Sequence, residues 1–104
     1  MSEDVLRLHE KLINKSSKKY HVKKLRQECQ ELINEINDNV GISGMTADHI
    51  IEELADVKTM IERVILHFEI AQEIEKMQIE KMQRALKRFD NEGNINIGYG
   101  SIDV

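Results

Sequence analysis

Two pairs of carboxylates, each with three-residue spacing, are the part of this sequence best suited to chemistry. Glu28 and Glu31 form the first pair, and Glu53 and Asp56 form the second. Residues three apart lie on one face of a helix, so each pair can present two carboxylates side by side. If the two helices pack antiparallel, four oxygen ligands converge, and a hard cation such as Mg²⁺ would neutralise them. The spacing therefore predicts a metal site.

The same four carboxylates could instead be solvated. Pairs of glutamates at this spacing are common on helices in a chain with 33% charged residues, and spacing alone does not separate the two interpretations. If a metal binds, the ligand types favour Mg²⁺, with Mn²⁺ possible, over zinc or iron. None of the four histidines follows a glutamate by three residues, as di-iron bundles require, and their spacing does not suit zinc. The predicted site is therefore all-oxygen.

The elements that would position these carboxylates are helices. The 104-residue chain has no proline, 40% hydrophobic residues and only 4% aromatic residues, which predicts one all-α domain with an aliphatic core. Apolar residues recur at three- and four-residue steps in four stretches. Ser2 and Thr46 are candidate N-caps, and a glycine-containing break covers residues 38–44. The four helices are predicted near residues 2–14, 21–37, 46–68 and 73–89.

The sequence changes character after residue 89. Residues 90–104 are rich in glycine and asparagine, which predicts a non-helical tail beyond a domain of residues 1–89. Two interpretations of this tail remain open. It is either a frayed, flexible end or a flap that packs Ile95, Ile97 or Tyr99 over a site or a neighbouring subunit.

Composition excludes several classes of protein. The net charge is −4, and the basic stretch between Lys15 and Arg26 is best explained as a solvated loop and helix start, because a nucleic-acid binder more often has a clearly basic domain with interleaved aromatic residues. The presence of a single cysteine, Cys29, predicts a reducing compartment, and we expect its thiol to be buried and inert. No apolar run is long enough for a membrane span, and the acidic N-terminus lacks a secretory signal. We therefore expect a soluble cytoplasmic protein that binds neither nucleic acid nor membranes.

The segments around the two carboxylate pairs resemble the signature of the MazG-like all-α nucleoside triphosphate pyrophosphohydrolases. That signature is Glu-Glu-x-x-Glu, a variable spacer, and Glu-x-x-Asp. The likeness extends from about residue 21 to residue 89 and is to the short single-domain type of phages and Gram-positive bacteria. The matching segments are Gln27-Glu28-Cys29-Gln30-Glu31-Leu32 and Glu52-Glu53-Leu54-Ala55-Asp56-Val57.

The resemblance implies a four-helix MazG-like bundle that hydrolyses a (deoxy)nucleoside triphosphate to the monophosphate and pyrophosphate with Mg²⁺. The family's metal ligands correspond to Glu28, Glu31, Glu53 and Asp56. A Lys-x-x-Arg element of the family matches Lys81 and Arg84, which are candidates for substrate phosphate binding. Ordinary surface charge is an equally good interpretation of these two cations. We expect a homo-oligomer, a dimer or a tetramer.

One position departs from the family signature. Its leading glutamate is Gln27 here, and an amide cannot accept a proton as a carboxylate does. Another carboxylate or a metal-activated water must replace it as the activating group, or activity is reduced. Two non-enzymatic alternatives therefore stay open, namely a helical oligomerisation or interaction module and a degenerate member that binds nucleotides without hydrolysis. The sequence does not select the base or sugar of the substrate.

Overall fold

The structure, a computed structural model, describes residues 1–38 and 46–92, and it describes residue 92 as backbone only. It contains four α-helices and one short 3₁₀ turn, and no strand occurs within these ranges, which confirms the predicted all-α class. The glycines of the predicted break and the tail residues 93–104, with the proposed flap residues, lie outside the described ranges. The elements are α1 (Glu3–Leu12), the 3₁₀ turn (Ile13–Lys15), α2 (Lys18–Asp38), α3 (Ala47–Phe68) and α4 (Ala71–Glu92).

Side-chain caps fix three of the helix starts. The Ser2 hydroxyl accepts a hydrogen bond from the Val5 amide, and the Thr46 hydroxyl accepts one from the His49 amide, which confirms both predicted caps. Helix α2 begins at Lys18, three residues before the predicted start. The reason is Ser17, whose hydroxyl accepts from the Tyr20 amide at 3.0 Å and so satisfies a free donor of the first turn.

The predicted separation of the third and fourth helices near residues 69–72 is also confirmed, although no glycine or proline marks it. Glu69 ends α3 in the left-handed conformation, with φ 58° and ψ 43°, and its amide bonds to the carbonyls of Ile65 and Leu66. A left-handed residue is a common helix terminator, although a side chain other than glycine costs roughly 1–2 kcal/mol there. Helix α4 then runs to Glu92, beyond the predicted end at Phe89, because residues 90–92 are polar without being helix breakers.

The chain divides into two compact units. The first, Met1–Glu69, contains α1, α2 and α3, and the second begins at Ile70 and contains α4. In the first unit, α2 and α3 pack antiparallel, as contacts at the two ends of the helix pair show. Lys18 lies over the Phe68 ring at one end, and Glu35 contacts His49 at the other. The predicted domain boundary at residue 89 stays a prediction.

Polar side chains occupy much of the interior of the first unit. Among the described residues, Met60 is the only buried apolar side chain, whereas His9, His21 and Glu28 are all buried. His9 joins α1 to α3, because its Nδ1 accepts from Arg63 at 3.3 Å and its Nε2 lies 3.4 Å from a carboxylate oxygen of Glu62. A buried polar group is tolerated only when it is hydrogen-bonded, so these contacts determine how α1 docks.

His21 and His67 form a second buried polar contact, between α2 and α3. Their Nδ1 atoms are 2.8 Å apart, so one ring must donate and the other must accept. His21 is only 1% exposed. Burial lowers the pKa of His21, and the charges of His67 and Arg63 lower it further. The folded protein therefore holds His21 as the neutral imidazole.

We predict that this pair makes the fold sensitive to mild acid. Below the ordinary pKa of about 6.5, the unfolded chain binds a proton at position 21 that the folded chain resists. Stability is therefore present above that pH and falls as the pH drops toward the lowered folded pKa. In His21→Gln the side chain stays neutral at every pH, so the loss of urea midpoint between pH 7.5 and 5.5 should shrink. A loss as large as in the wild type would contradict this assignment.

Candidate metal centre between α2 and α3

Two rows of ionisable side chains face each other across the antiparallel pair. The spacing within each row is three or four residues, which keeps each row on one helix face. Because the helices run in opposite directions, the end of one row lies beside the start of the other. The row on α2 is Glu28, Glu31 and Glu35, and the row on α3 is His49, Glu53 and Asp56.

The best-defined part of these rows joins Glu35, His49 and Glu53. His49 Nε2 lies 3.4 Å from Glu35 Oε2 and 3.6 Å from Glu53 Oε1. One ligand atom from each of the three residues lies within 4.8 Å of the other two. All three side chains are partly exposed. This group has the composition and the spacing of a metal-binding site.

Glu31 and Glu53 face each other one turn further along, with Glu28 beside them. The pKa of Glu31 is raised, mainly by the negative charge of Glu28 and then by partial desolvation, a hydrogen bond with Glu28 and the charge of Glu53. Lys24 opposes this effect. The structure therefore places Glu28 and Glu53 near enough to Glu31 for their charges to act on it. Within the described ranges, however, the three ligand atoms that meet within 4.8 Å belong to Glu35, His49 and Glu53.

The other predicted site residues are less constrained. Asp56 is exposed on α3, one turn beyond Glu53, and the same antiparallel pairing continued by one turn sets it opposite Glu28. Lys81 and Arg84 are exposed on α4, in the second unit, and a three-residue spacing puts them on one face of that helix. Gln27 is exposed on α2.

Two carboxylate oxygens provide the test of whether a cation fits here. Glu28 keeps only 10% of its side chain exposed and Glu53 only 13%. The Oε2 atom of each is buried and has no hydrogen-bond partner within the described ranges. A buried acceptor without a partner costs about 1–3 kcal/mol, and more when it is charged. A dication bound at either oxygen would satisfy that acceptor and offset the negative charge around Glu31, so each of these two carboxylates is chemically suited to a metal ion.

Lys24 partly neutralises the acidic row in the structure as it stands. Its ammonium nitrogen is 3.3 Å from Glu28 Oε1, one helical turn away. The hydrogen bond to Glu28 and the charge of that carboxylate raise the pKa of Lys24. The contact satisfies one oxygen of Glu28 and leaves the other for a cation.

The sequence pattern gave no site role to Lys24, Glu35 or His49, although a signal for each was present. Each lies one helical turn from a predicted ligand, respectively Glu28, Glu31 and Glu53. Extending each carboxylate pair by one turn would have found all three. The site was predicted to be all-oxygen, whereas the structure adds an imidazole nitrogen to it.

Comparison with known families identifies the family of this chain. The model of the MazG nucleotide pyrophosphohydrolase domain matches residues 16–89, well over half of the chain. The chain therefore belongs to the MazG nucleotide pyrophosphohydrolase domain family, which confirms the family resemblance in the carboxylate motifs. The phage or Gram-positive type stays a prediction. Comparisons with curated proteins and with solved structures gave no match. Within the described ranges, no helix is both long and apolar enough to cross a membrane.

We predict that the acidic rows destabilise the metal-free fold. Glu31 has a raised pKa, so the folded state disfavours its charged form, and the resulting stability deficit is present at neutral pH. Glu31→Gln removes that charge and should raise the melting temperature in EDTA at pH 7. The difference should vanish below about pH 4.5, the ordinary pKa of this carboxyl, where Glu31 is protonated in both states.

The matched control for this test is Glu52→Gln, an exposed carboxylate on α3 that lies outside the two rows. It should leave the melting temperature in EDTA nearly unchanged. A Glu31→Gln protein that melts below the wild type under the same conditions would show that charge repulsion does not dominate at this position.

Proposed function

We propose that this protein hydrolyses a (deoxy)nucleoside triphosphate to the monophosphate and pyrophosphate, with Mg²⁺ or Mn²⁺ as cofactor. The observation that carries the proposal is that Glu28 and Glu53, one in each carboxylate motif of a MazG-family chain, both have a buried carboxylate oxygen without a hydrogen-bond partner in the described residues. Triphosphates reach proteins as complexes with divalent cations, and a cluster of carboxylates suits such a complex better than it suits a bare anion.

Under this proposal the cation is held by Glu28, Glu31, Glu53 and Asp56. When bound, the ion would supply positive charge to the triphosphate and a water of lowered pKa. Lys24 holds the Glu28 carboxylate through their 3.3 Å contact, which restricts rotation of that side chain. Gln27 cannot take up a proton, so we assign proton acceptance to a carboxylate of the rows and not to this position.

Lys81 and Arg84 are the proposed phosphate-binding side chains. They are exposed cations on one face of α4, and a guanidinium can bind two phosphate oxygens at once. This role rests on the family motif and the exposure of both residues.

We further propose that the protein is a homo-oligomer, a dimer or a tetramer. The first unit buries little apolar surface, and several large apolar side chains of its helices are exposed. Such a surface is typical of a protomer that completes its core against a second copy. These side chains include Val5, Leu8 and Leu12 on α1 and Ile51, Leu54 and Ile61 on α3. The single free cysteine, Cys29, is the basis for proposing a cytoplasmic location.

One observation favours a second candidate function. Gln27 replaces the leading acid of the family signature, so the protein could bind a nucleotide–metal complex without cleaving it. In that case metal binding and nucleotide binding would persist while pyrophosphate release would not occur. The two candidates therefore differ in the product formed and not in the ligand.

We predict that at least one member of a panel of ribo- and deoxynucleoside triphosphates yields monophosphate and pyrophosphate when Mg²⁺ is present. Asp56→Asn should slow this reaction by about 100-fold or more, because even outer partners of metal ligands contribute 10–100-fold. Glu52→Gln is the control and should keep the wild-type rate. Release of inorganic phosphate and nucleoside diphosphate would reject cleavage between the α and β phosphates, and no cleavage at high enzyme concentration would favour the binding function.

We also predict that the apolar side chains on α1 hold the assembly together. Sedimentation should find a species of two or four chains at micromolar concentration. Leu8→Glu introduces a charge at an apolar side chain that is 55% exposed in the protomer, so it should dissociate the assembly without unfolding the helix. Glu10→Gln, an exposed change on the same helix, is the control. A wild-type protein that sediments as a stable monomer would contradict the proposal.

A further inference from the structure

The group of Glu35, His49 and Glu53 contains two residues that the carboxylate signature does not use. Glu35 follows the first motif by one turn, and His49 precedes the second by one turn. The distances from His49 Nε2 to the nearer oxygens of Glu35 and Glu53 are 3.4 and 3.6 Å. This nitrogen therefore lies between two carboxylates at similar distances from both.

Both distances are longer than the usual hydrogen bond. An N–H donor and a carboxylate oxygen normally approach to about 2.7–3.2 Å, and a charged pair lies at the short end of that range. Metal–ligand bonds of about 2.0–2.2 Å, by contrast, place neighbouring ligand atoms roughly 3.0–3.6 Å apart. The spacing around His49 Nε2 therefore suits ligands arranged around one ion as well as it suits a long ion pair.

Glu53 is placed to serve two ions. Its Oε1 atom faces His49, whereas its Oε2 atom is buried without a hydrogen-bond partner in the described part of the chain. Its charge also acts on Glu31, so the carboxylate lies between the two groups of ligands. A carboxylate whose two oxygens have different surroundings can bind one cation with each of them, as in two-metal sites.

The chemistry of the ligands decides which ion the second position would take. Imidazole nitrogen binds first-row transition metals well, whereas Mg²⁺ prefers oxygen ligands and keeps much of its water. One nitrogen with two carboxylates therefore differs in selectivity from the carboxylates of Glu28, Glu31 and Asp56.

We propose that Glu35, His49 and Glu53 hold a second cation beside the one bound by the signature carboxylates, and that this position selects a transition-metal dication over Mg²⁺. Glu53 is shared by the two positions. The inference rests on the proposed function because it takes the signature carboxylates as the first cation position.

Mn²⁺ is the probe because its electron spin reports both how much is bound and which atoms coordinate it. In metal-free wild-type protein, loss of the free Mn²⁺ signal should count two ions per chain. Electron spin-echo modulation should show coupling of bound Mn²⁺ to a nitrogen. An excess of Mg²⁺ should displace the Mn²⁺ that shows no nitrogen coupling. The nitrogen-coupled Mn²⁺ should stay bound.

Three variants assign the signals. His49→Gln should bind one ion and lose the nitrogen coupling, and it should fold because 36% of the His49 side chain is exposed. Glu28→Gln weakens the signature position and should retain the nitrogen-coupled ion. Glu52→Gln is the matched control and should bind two ions with the coupling intact.

The outcomes separate this proposal from the proposed function. Binding without nitrogen coupling, whether of one or two ions per wild-type chain, or coupling that survives in His49→Gln would overturn the second position and leave the signature site untouched. Displacement of the coupled ion by Mg²⁺ as readily as the other would overturn its selectivity. A single ion per wild-type chain that shows nitrogen coupling would count against the proposed Mg²⁺ site while supporting the His49 position.

Discussion

Repulsion between carboxylates on two packed helices is the constraint on which the rest of this structure depends. Glu28, Glu31 and Glu53 lie close enough for the charges of the other two to raise the pKa of Glu31. Two of their oxygens are buried without partners in the described chain. Helices that place acids together in this way are less stable than a hydrophobic pairing would be, unless a cation joins them. The acids therefore make sense as parts of a binding site.

The remaining contacts of the first unit hold α2 and α3 in register against that repulsion. The 2.8 Å contact between His21 and His67 lies toward one end of the pair. Lys24 neutralises one side of Glu28, and His9 ties α1 to the back of α3 through Glu62 and Arg63. These contacts are polar and directional, so they specify one alignment of the helices where a thin apolar core would permit several.

The thin core and the acidic rows have a common consequence. A chain that leaves apolar helix faces exposed and concentrates negative charge between two helices gains stability from binding partners, whether a second copy or a cation. If the proposed cation binds, stability and function are coupled, because the ion that enables chemistry also offsets the charge between the helices. This coupling agrees with membership of a nucleotide pyrophosphohydrolase family, in which a metal–triphosphate complex is the natural occupant.

Local sequence determined the helices, the caps at Ser2 and Thr46, and the two carboxylate pairs, because capping and three-residue spacing act within one or two turns. The left-handed ending of α3 at Glu69 corresponds in the sequence only to the gap between the third and fourth predicted helices.

Tertiary structure alone decided which side chains meet across the helices. Glu35 and His49 are distant in sequence, and their contact exists only because α2 and α3 pack antiparallel in one register. Burial of His21 against His67 has the same origin. Helical periodicity reports the face on which a residue lies, but not which residue of another helix lies opposite. That pairing depends on the relative translation of two helices, which long-range packing sets.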